Sequence, residues 1–212
     1  MQITSLEMLD FTIKADRMMN RGVFEYPQPI KKHKKFTPDP VMRYLETMRK
    51  LSYYGTRTDE ESLEKTRTLI YDYERLGRML HLFIDCDAFD YGLVIPGCGP
   101  VNVGGSNFIG SFAILYPNTC IAPRLSRIGD GLCMYEGSKV LDRVELGDGI
   151  TLEEGTWVCK SYRRDNLLLS GRFSRVKKRC KRWYEADPDS VYKARAQMVQ
   201  SEFIKTFNGK FQ

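Results

Sequence analysis

The chain has 212 residues, with 42% apolar, 12% aromatic and 28% charged side chains. That composition can bury a core and excludes disorder over most of the length. No run of about 18 apolar residues is present to span a membrane. The net charge of +6 comes from two short runs, and without them 23 basic residues face 27 acidic ones.

The opening residues, MQITSLEMLDFTIKADRMMNRG, carry acids where a secretory leader needs a basic end and an apolar run. A cytoplasmic location is therefore expected. Apolar residues from Ile3 to Arg21 recur at mixed three- and four-residue spacing, which predicts a helix stopping before Gly22. Pro27, Pro29 and Pro38, with the first basic run Lys31–Lys35 (residues 31–35, KKHKK), predict loop or extended chain. Asp39–Pro40 is a helix start, with Asp as N-cap and Pro at the first position. That helix places Met42, Leu45, Met48 and Leu51 along one face and stops at Gly55. Thr58 or Asp59 caps a longer helix whose buried side is read as Leu63, Leu69, Ile70, Tyr73, Leu76 and Leu80. His81 follows on an apolar stretch, where burial in a structural role is expected.

From about Ile84 helical spacing disappears and a period of six takes over. Aliphatic residues stand at Val103, Ile109, Leu115 and Ile121. After a one-residue insertion they resume at Ile128, Met134, Val140, Leu146, Leu152 and Val158. Four places later in the hexads come Ala113, Thr119, Leu125, Leu132, Ser138, Val144, Ile150 and Thr156, again small or aliphatic. A six-residue period is neither helical nor a plain strand alternation. It fits a parallel β-helix in which each hexad is one short strand and one turn, and three hexads close a coil. A β-sandwich would alternate at two with wider spacing.

Leu167–Gly171 (LLLSG) reads as a last strand. The second basic run, Arg175–Arg182 (residues 175–182, RVKKRCKR), reads as a solvated tail. A phosphate-bearing ligand or an anionic surface is its alternative. A closing helix after Asp187–Pro188 would turn Val191, Ala194, Met198 and Phe203 to one side. The expected division is an N-terminal helical domain (1–83), a hexapeptide-repeat domain (84–176) and a basic extension with a helix (177–212). The six cysteines, Cys86, Cys98, Cys120, Cys133, Cys159 and Cys180, form no CxxC pair, and the only histidines are His33 and His81. Neither a metal site nor disulfides are expected. Without a nucleic-acid motif behind the charge, the expected partners include no nucleic acid and no membrane.

The hexads with Ile128–Gly131 (IGDG), Glu136–Val140 (EGSKV) and Ser170–Val176 (SGRFSRV), preceded by DFTIKAD and MRKLSYY helices and the turn Gly92–Pro96, resemble the left-handed β-helix acyltransferases. The resemblance runs from about Phe11 to Val176. It points to the serine acetyltransferase group and its polysaccharide-biosynthesis-associated branch. It implies an all-β left-handed parallel β-helix with an N-terminal α-helical domain and a C-terminal helix. It also implies a homotrimer, acetyl-CoA as co-substrate, no metal, and a small hydroxyl-bearing acceptor such as serine or a sugar-like molecule.

Such chemistry wants a base to take the acceptor proton as the hydroxyl attacks the thioester. In the resembling pattern a histidine follows Gly92–Leu93–Val94–Ile95–Pro96; here that position is Gly97, followed by Cys98. A second histidine of the branch is replaced by Tyr116. Asp85, Asp87, Asp90, Cys98 and Tyr116 are groups that can carry or take a proton nearby, with Cys98, Asp87 and Tyr116 as the candidate catalytic residues. The donor groove implied by the resemblance is Gly137, Ser138, Gly155, Thr156, Ser170 and Gly171, with Arg175 and Lys177 toward the CoA phosphates. Tyr135, Glu153 and Glu154 stand where the family has small neutral residues, Trp157 is bulky, and Phe173 replaces an expected proline. Two readings follow: an O-acyltransferase with an altered base or acceptor, or a catalytically degenerate scaffold or protein partner of an active paralogue.

Overall fold

The computed structural model describes residues 2–21, 39–97 and 99–211. The proline-rich stretch, the 31–35 run and His33 lie outside them. Helices α1 (Leu6–Asn20), α2 (Pro40–Tyr54) and α3 (Glu60–Leu80) open the chain, and α4 (Val191–Phe207) closes it. Their starts are capped by side chains: Ser5 Oγ accepts the Met8 N–H at 3.1 Å and Asp39 Oδ1 that of Val41 at 2.9 Å. Asp59, not Thr58, caps α3 by accepting the Ser62 N–H at 3.0 Å.

Between them runs a left-handed parallel solenoid of short strands. They are β1 (Leu82–Ile84), β2 (Val101–Val103), β3 (Phe108–Ile109), β4 (Ile114–Leu115), β5 (Thr119–Ile121) and β6 (Arg127–Ile128). Then come β7 (Cys133–Met134), β8 (Lys139–Val140), β9 (Glu145–Leu146), β10 (Thr151–Leu152), β11 (Trp157–Val158), β12 (Leu167–Ser170) and β13 (Arg175–Arg179). They stack into three sheets, ordered β1-β2-β5-β8-β11, β3-β6-β9 and β4-β7-β10-β12-β13. Every pairing is parallel except β12 with β13. The ten hexad aliphatics from Val103 to Val158 are each no more than 5% exposed and share one core. Ile121 lies over Val140 and Val140 over Val158.

The corner positions follow the hexad rule with one correction. Leu125 is 52% exposed with φ +60°, and the buried Ser126 occupies the corner instead. Leu125 is thus the inserted residue. A serine serves better there because the corner sits among backbone groups. Ser126 Oγ donates to the Asp142 carbonyl at 3.0 Å and accepts the Val144 N–H at 3.2 Å.

The corner between the second and third of these sheets is held by aspartates. Asp130 Oδ1 accepts the Ser111 N–H at 2.7 Å, Asp148 Oδ1 that of Asp130 at 3.0 Å, and Asp165 Oδ1 that of Asp148 at 2.9 Å. Gly129 lies so close to the next coil that a Cβ would strike the Asp148 carboxylate and the Gly147 backbone. Burial pushes the Asp130 carboxyl above its ordinary range, and the Asp148 charge adds to this. Arg182, 2.9 Å from Asp148, opposes it.

The helices are fastened to the first coil by a buried ion pair. Arg49 Nε lies 2.9 Å from Asp16 Oδ2, with both side chains no more than 1% exposed. Arg49 also donates to the carbonyls of Phe89 (2.8 Å) and Asp90 (2.6 Å). Asp16 Oδ1 accepts the N–H groups of Gly92 (2.8 Å) and Leu93 (2.9 Å). Asn20 completes the clasp on Leu93 and Ile95.

Four further expectations are corrected. Along α3 the buried residues are Ser62, Leu76, Gly77 and Leu80, Leu69 and Tyr73 are half-buried, and Leu63 and Ile70 are exposed. The helix packs on α2 and, at its end, on β1, so only a narrow stripe is covered. His81 is exposed. It caps α3 with φ +58°, and its carbonyl accepts the Val101 N–H at 3.0 Å. Finally, α4 buries Ala196, Val199 and Phe207, while Val191 and Met198 face solvent. The pull comes from α1, whose Phe11 ring meets those of Phe203 (5.5 Å) and Phe207 (5.4 Å). Part of the basic run read as a tail is also ordered, as the edge strand β13.

Replacing Arg49 by Met leaves Asp16 buried without its cation, and chemical denaturation should show a loss of about 3–5 kcal/mol. For Asp130 the sign follows from its raised native pKa: the folded state binds the proton more readily, so the stability this group contributes falls as pH rises from its unfolded value, about 3.9, through the native one. Asp130→Asn keeps an acceptor for Ser111 and removes that dependence. The melting temperature of the variant relative to the parent should therefore rise between pH 3 and pH 7.

Candidate functional site

Each coil passes from the first sheet to the β3 sheet, on to the β4 sheet, and back to the first. The last of these corners carries the glycines singled out in the sequence. Gly97 and Gly99 lie against Pro117. Below, the Gly137 N–H bonds the Pro117 carbonyl at 3.3 Å, the Gly155 N–H the Glu136 carbonyl at 2.8 Å, and the Trp157 N–H the Gly171 carbonyl at 3.1 Å. Gly155 and Gly171 have φ of +65° and +93°, and a Cβ at either would meet nothing within 4 Å. The corner is an open strip of backbone running along the solenoid.

Two columns flank it. On one side Tyr116 and Tyr135 stack, with ring centroids 5.1 Å apart and planes at 24°. The next coil below places Glu153 beneath Tyr135, whose N–H bonds the Leu152 carbonyl at 3.1 Å. On the other side Cys120, Lys139 and Trp157 stand in register. The Trp157 ring is covered by the cations of Lys139 (5.3 Å) and Arg172 (5.2 Å).

Gly137, Gly155 and Gly171 thus share one strip. Ser138 and Thr156 lie on the same coils, but their side chains are fully buried. Thr156 Oγ1 donates to the Leu169 carbonyl at 3.4 Å, and Ser138 Oγ is a buried polar atom without a hydrogen-bond partner among the described residues. Their backbone groups are taken as well: the Ser138 and Thr156 N–H groups bond the Tyr135 and Glu153 carbonyls, and their carbonyls accept from Cys120 and Lys139, so the two residues shape the corner from inside and do not line the strip. Lys177 reaches back to Glu153 at 2.7 Å, and that contact together with Ser170 holds the Glu153 carboxyl below its ordinary range. Arg175 is exposed. Glu153, which stands where a small neutral residue is expected, is therefore already paired.

The proton acceptors are dispersed. Asp87 accepts the Ser52 hydroxyl at 2.5 Å, and its N–H bonds Asp85 Oδ1 at 3.0 Å. Both acids follow β1 and precede Phe89, which bridges Ile109, so they occupy the corner between the first and β3 sheets. Asp90 follows Phe89, before Val94 bridges Ile114. That is the corner of the aspartate ladder, and burial raises its pKa with help from Asp130. Tyr116 does flank the glycine strip. Burial, followed by the neighbouring Cys133 and Tyr135, pushes its hydroxyl up to about 12, which makes it a hydrogen-bond donor at neutral pH. Cys98 lies outside the described residues. A side chain grown from Gly97 would touch Pro117 Cγ at 3.4 Å, an ordinary contact.

Asp16, Asn20 and Arg49, which hold the turn leading to Gly97, were not singled out in the sequence. Their signal was available: charged or amide side chains on the apolar faces of two helices. Among the described residues no group of three His, Cys, Asp or Glu side chains is placed to hold a metal ion.

No protein-family model matches the chain, and no curated protein matches it. Solved structures do. The serine acetyltransferase of Brucella abortus strain S19 is 19% identical with a TM-score of 0.56, over 81% of this chain and 68% of that one. The Neisseria gonorrhoeae serine acetyltransferase is 19% identical with a TM-score of 0.55, over 86% and 69%. The Brucella enzyme in complex with coenzyme A aligns at 18% identity and a TM-score of 0.55, over 81% and 67%. The fold is that of the serine acetyltransferases. This chain spans about two thirds of their length, and at such identities the likeness is one of architecture.

Thiol accessibility provides a direct check of the site's surroundings. Cys159 is exposed, whereas Cys133 is buried beside the tyrosine column and its thiol is pushed up to about 12, chiefly by burial. Peptide-mapped alkylation at neutral pH should modify Cys159 early and Cys133 only on unfolding.

Proposed function

We propose that this protein binds an acyl-CoA along the Gly137–Gly155–Gly171 strip and transfers the acyl group to a hydroxyl of serine or a sugar-like acceptor, slowly and without a histidine base. The open strip carries the reading. A pantetheine arm needs small side chains and accessible backbone groups along an extended path. Gly155 and Gly171 leave that space clear, and a Cβ at Gly137 would come within 3.7 Å of the Gly155 backbone. In this reading Arg175 and Lys177, on the strand after Gly171, meet the CoA phosphates, and the pairing of Lys177 with Glu153 limits the repulsion.

When bound, acyl-CoA supplies an activated thioester. The chain itself contributes position and one donor. Tyr116 keeps its proton at neutral pH and can orient an acceptor or stabilise developing negative charge on an oxygen. Gly97 has no side chain to take the acceptor proton. A positioned base contributes roughly 10²–10⁴ in rate, so transfer without one rests on proximity. The working unit in this proposal is a homotrimer, as the resemblance implies, in the cytoplasmic location expected from the sequence.

The dispersion of Asp85, Asp87 and Asp90 over other corners favours a second reading, a catalytically degenerate scaffold or partner of an active paralogue. Calorimetric titration separates the two. Acetyl-CoA and CoA should bind, and Lys177→Ala should weaken both. No heat up to millimolar ligand would leave the scaffold reading. If CoA binds, Gly97→His should raise serine acetylation by at least tenfold over the parent. Rapid serine acetylation by the parent, abolished by Cys98→Ala, would instead make Cys98 the reactive group.

A further inference from the structure

The last coil of the solenoid and the hairpin that ends it form a strongly charged pole. From Cys159 to Arg182 there are ten basic residues and one acid, Asp165. That acid is turned back into the corner ladder, accepting the Asp148 N–H at 2.9 Å. Among the described ion pairs only Arg163, Lys177 and Arg182 of this segment are engaged, each with a carboxylate outside the segment. Arg164, Arg172, Arg175, Lys178, Arg179 and Lys181 are all exposed. The rest of the chain is net acidic, so the charge is polarised toward one end of the prism. The hairpin turn also presents Phe173 at 84% exposure, and β13 presents Val176 at 50%.

We propose that this pole docks on an anionic lipid surface, with Phe173 entering the headgroup layer and the surrounding cations meeting lipid phosphates. Basic residues near an anionic leaflet each add to binding, and an aromatic ring among them adds apolar transfer. The shape favours a bilayer over a nucleic acid. All five residues of β13 are exposed, so the pole is a projecting edge, not a groove that tracks a strand. Val176 gains from apolar contact and offers nothing to a base. Nor does the pole suit its counterpart on a second copy, because two such surfaces repel. The absence of a spanning helix among the described residues leaves peripheral contact open. This proposal does not depend on acyl transfer.

The test is co-sedimentation of the full chain with phosphatidylcholine vesicles, with and without phosphatidylserine, at low salt and at about 1 M salt, where screening is nearly complete. Binding should require phosphatidylserine and fall with salt. The triple variant Lys178→Gln, Arg179→Gln, Lys181→Gln should lose about a hundredfold, at roughly fivefold per cation. Phe173→Ser should lose about tenfold. These side chains are exposed, and melting curves of the variants check that the fold is kept. Equal binding to neutral vesicles, no binding to either, or a triple variant that binds like the parent would overturn the proposal. So would capture of a single-stranded oligonucleotide in place of vesicles. A change in assembly mass in Phe173→Ser would assign that ring to a contact between copies and overturn its role at the lipid.

Discussion

The buried pair of Arg49 and Asp16 is the joint on which the rest of the molecule turns. A solenoid coil satisfies its backbone through the coils on either side, and the first coil has only one neighbour. Its carbonyls at Phe89 and Asp90 and its N–H groups at Gly92 and Leu93 are taken up by Arg49 and Asp16. The helices thereby end the stack, as a capping repeat does. The fork of Arg49 suits this role, since one guanidinium serves a carboxylate and two carbonyls at once. The same joint orients the turn at Gly97, so the geometry of the candidate site depends on two residues that would touch no substrate.

Below the joint, regularity comes from repeated satisfaction of the same few backbone groups. The aliphatic hexad positions fill the interior, while Asp130, Asp148 and Asp165 tie each coil to the one above. This places like charges in a column. Asp130 and Asp90, both partly buried, are pushed toward protonation, and Arg182 moderates the column from outside. The basic C-terminal segment thus has a structural use in addition to its outward-facing charge.

The functional reading rests on a contrast between two surfaces. In the proposed reading the glycine strip offers an extended acyl carrier its path, while the described carboxylates Asp85, Asp87 and Asp90 stand at other corners of the first coil. Three-sided geometry makes the separation unavoidable. Residues six apart lie on different faces, so closeness in sequence to Gly97 does not bring Asp85, Asp87 or Asp90 near it. Among the described candidates it is Tyr116, nineteen residues beyond Gly97, that flanks the strip, because a full turn of chain returns it there.

The period of six and its single slip were legible in the sequence because each hexad repeats one physical demand, an aliphatic side chain at the centre of a coil. The helix starts at Asp39–Pro40 and Asp59 were legible because capping is local. The tertiary structure decided what depends on neighbours: that α4 turns Ala196, Val199 and Phe207 inward to meet Phe11, that α3 is covered only along a narrow stripe, and that Leu125 yields its corner to Ser126. It also decided that Asp16 and Arg49 meet, since residues 33 apart on separate helices leave no periodic trace. Strand β13 escaped notice for a related reason. A run of exposed basic residues has no apolar alternation, and only the edge offered by Leu167–Ser170 makes it a strand.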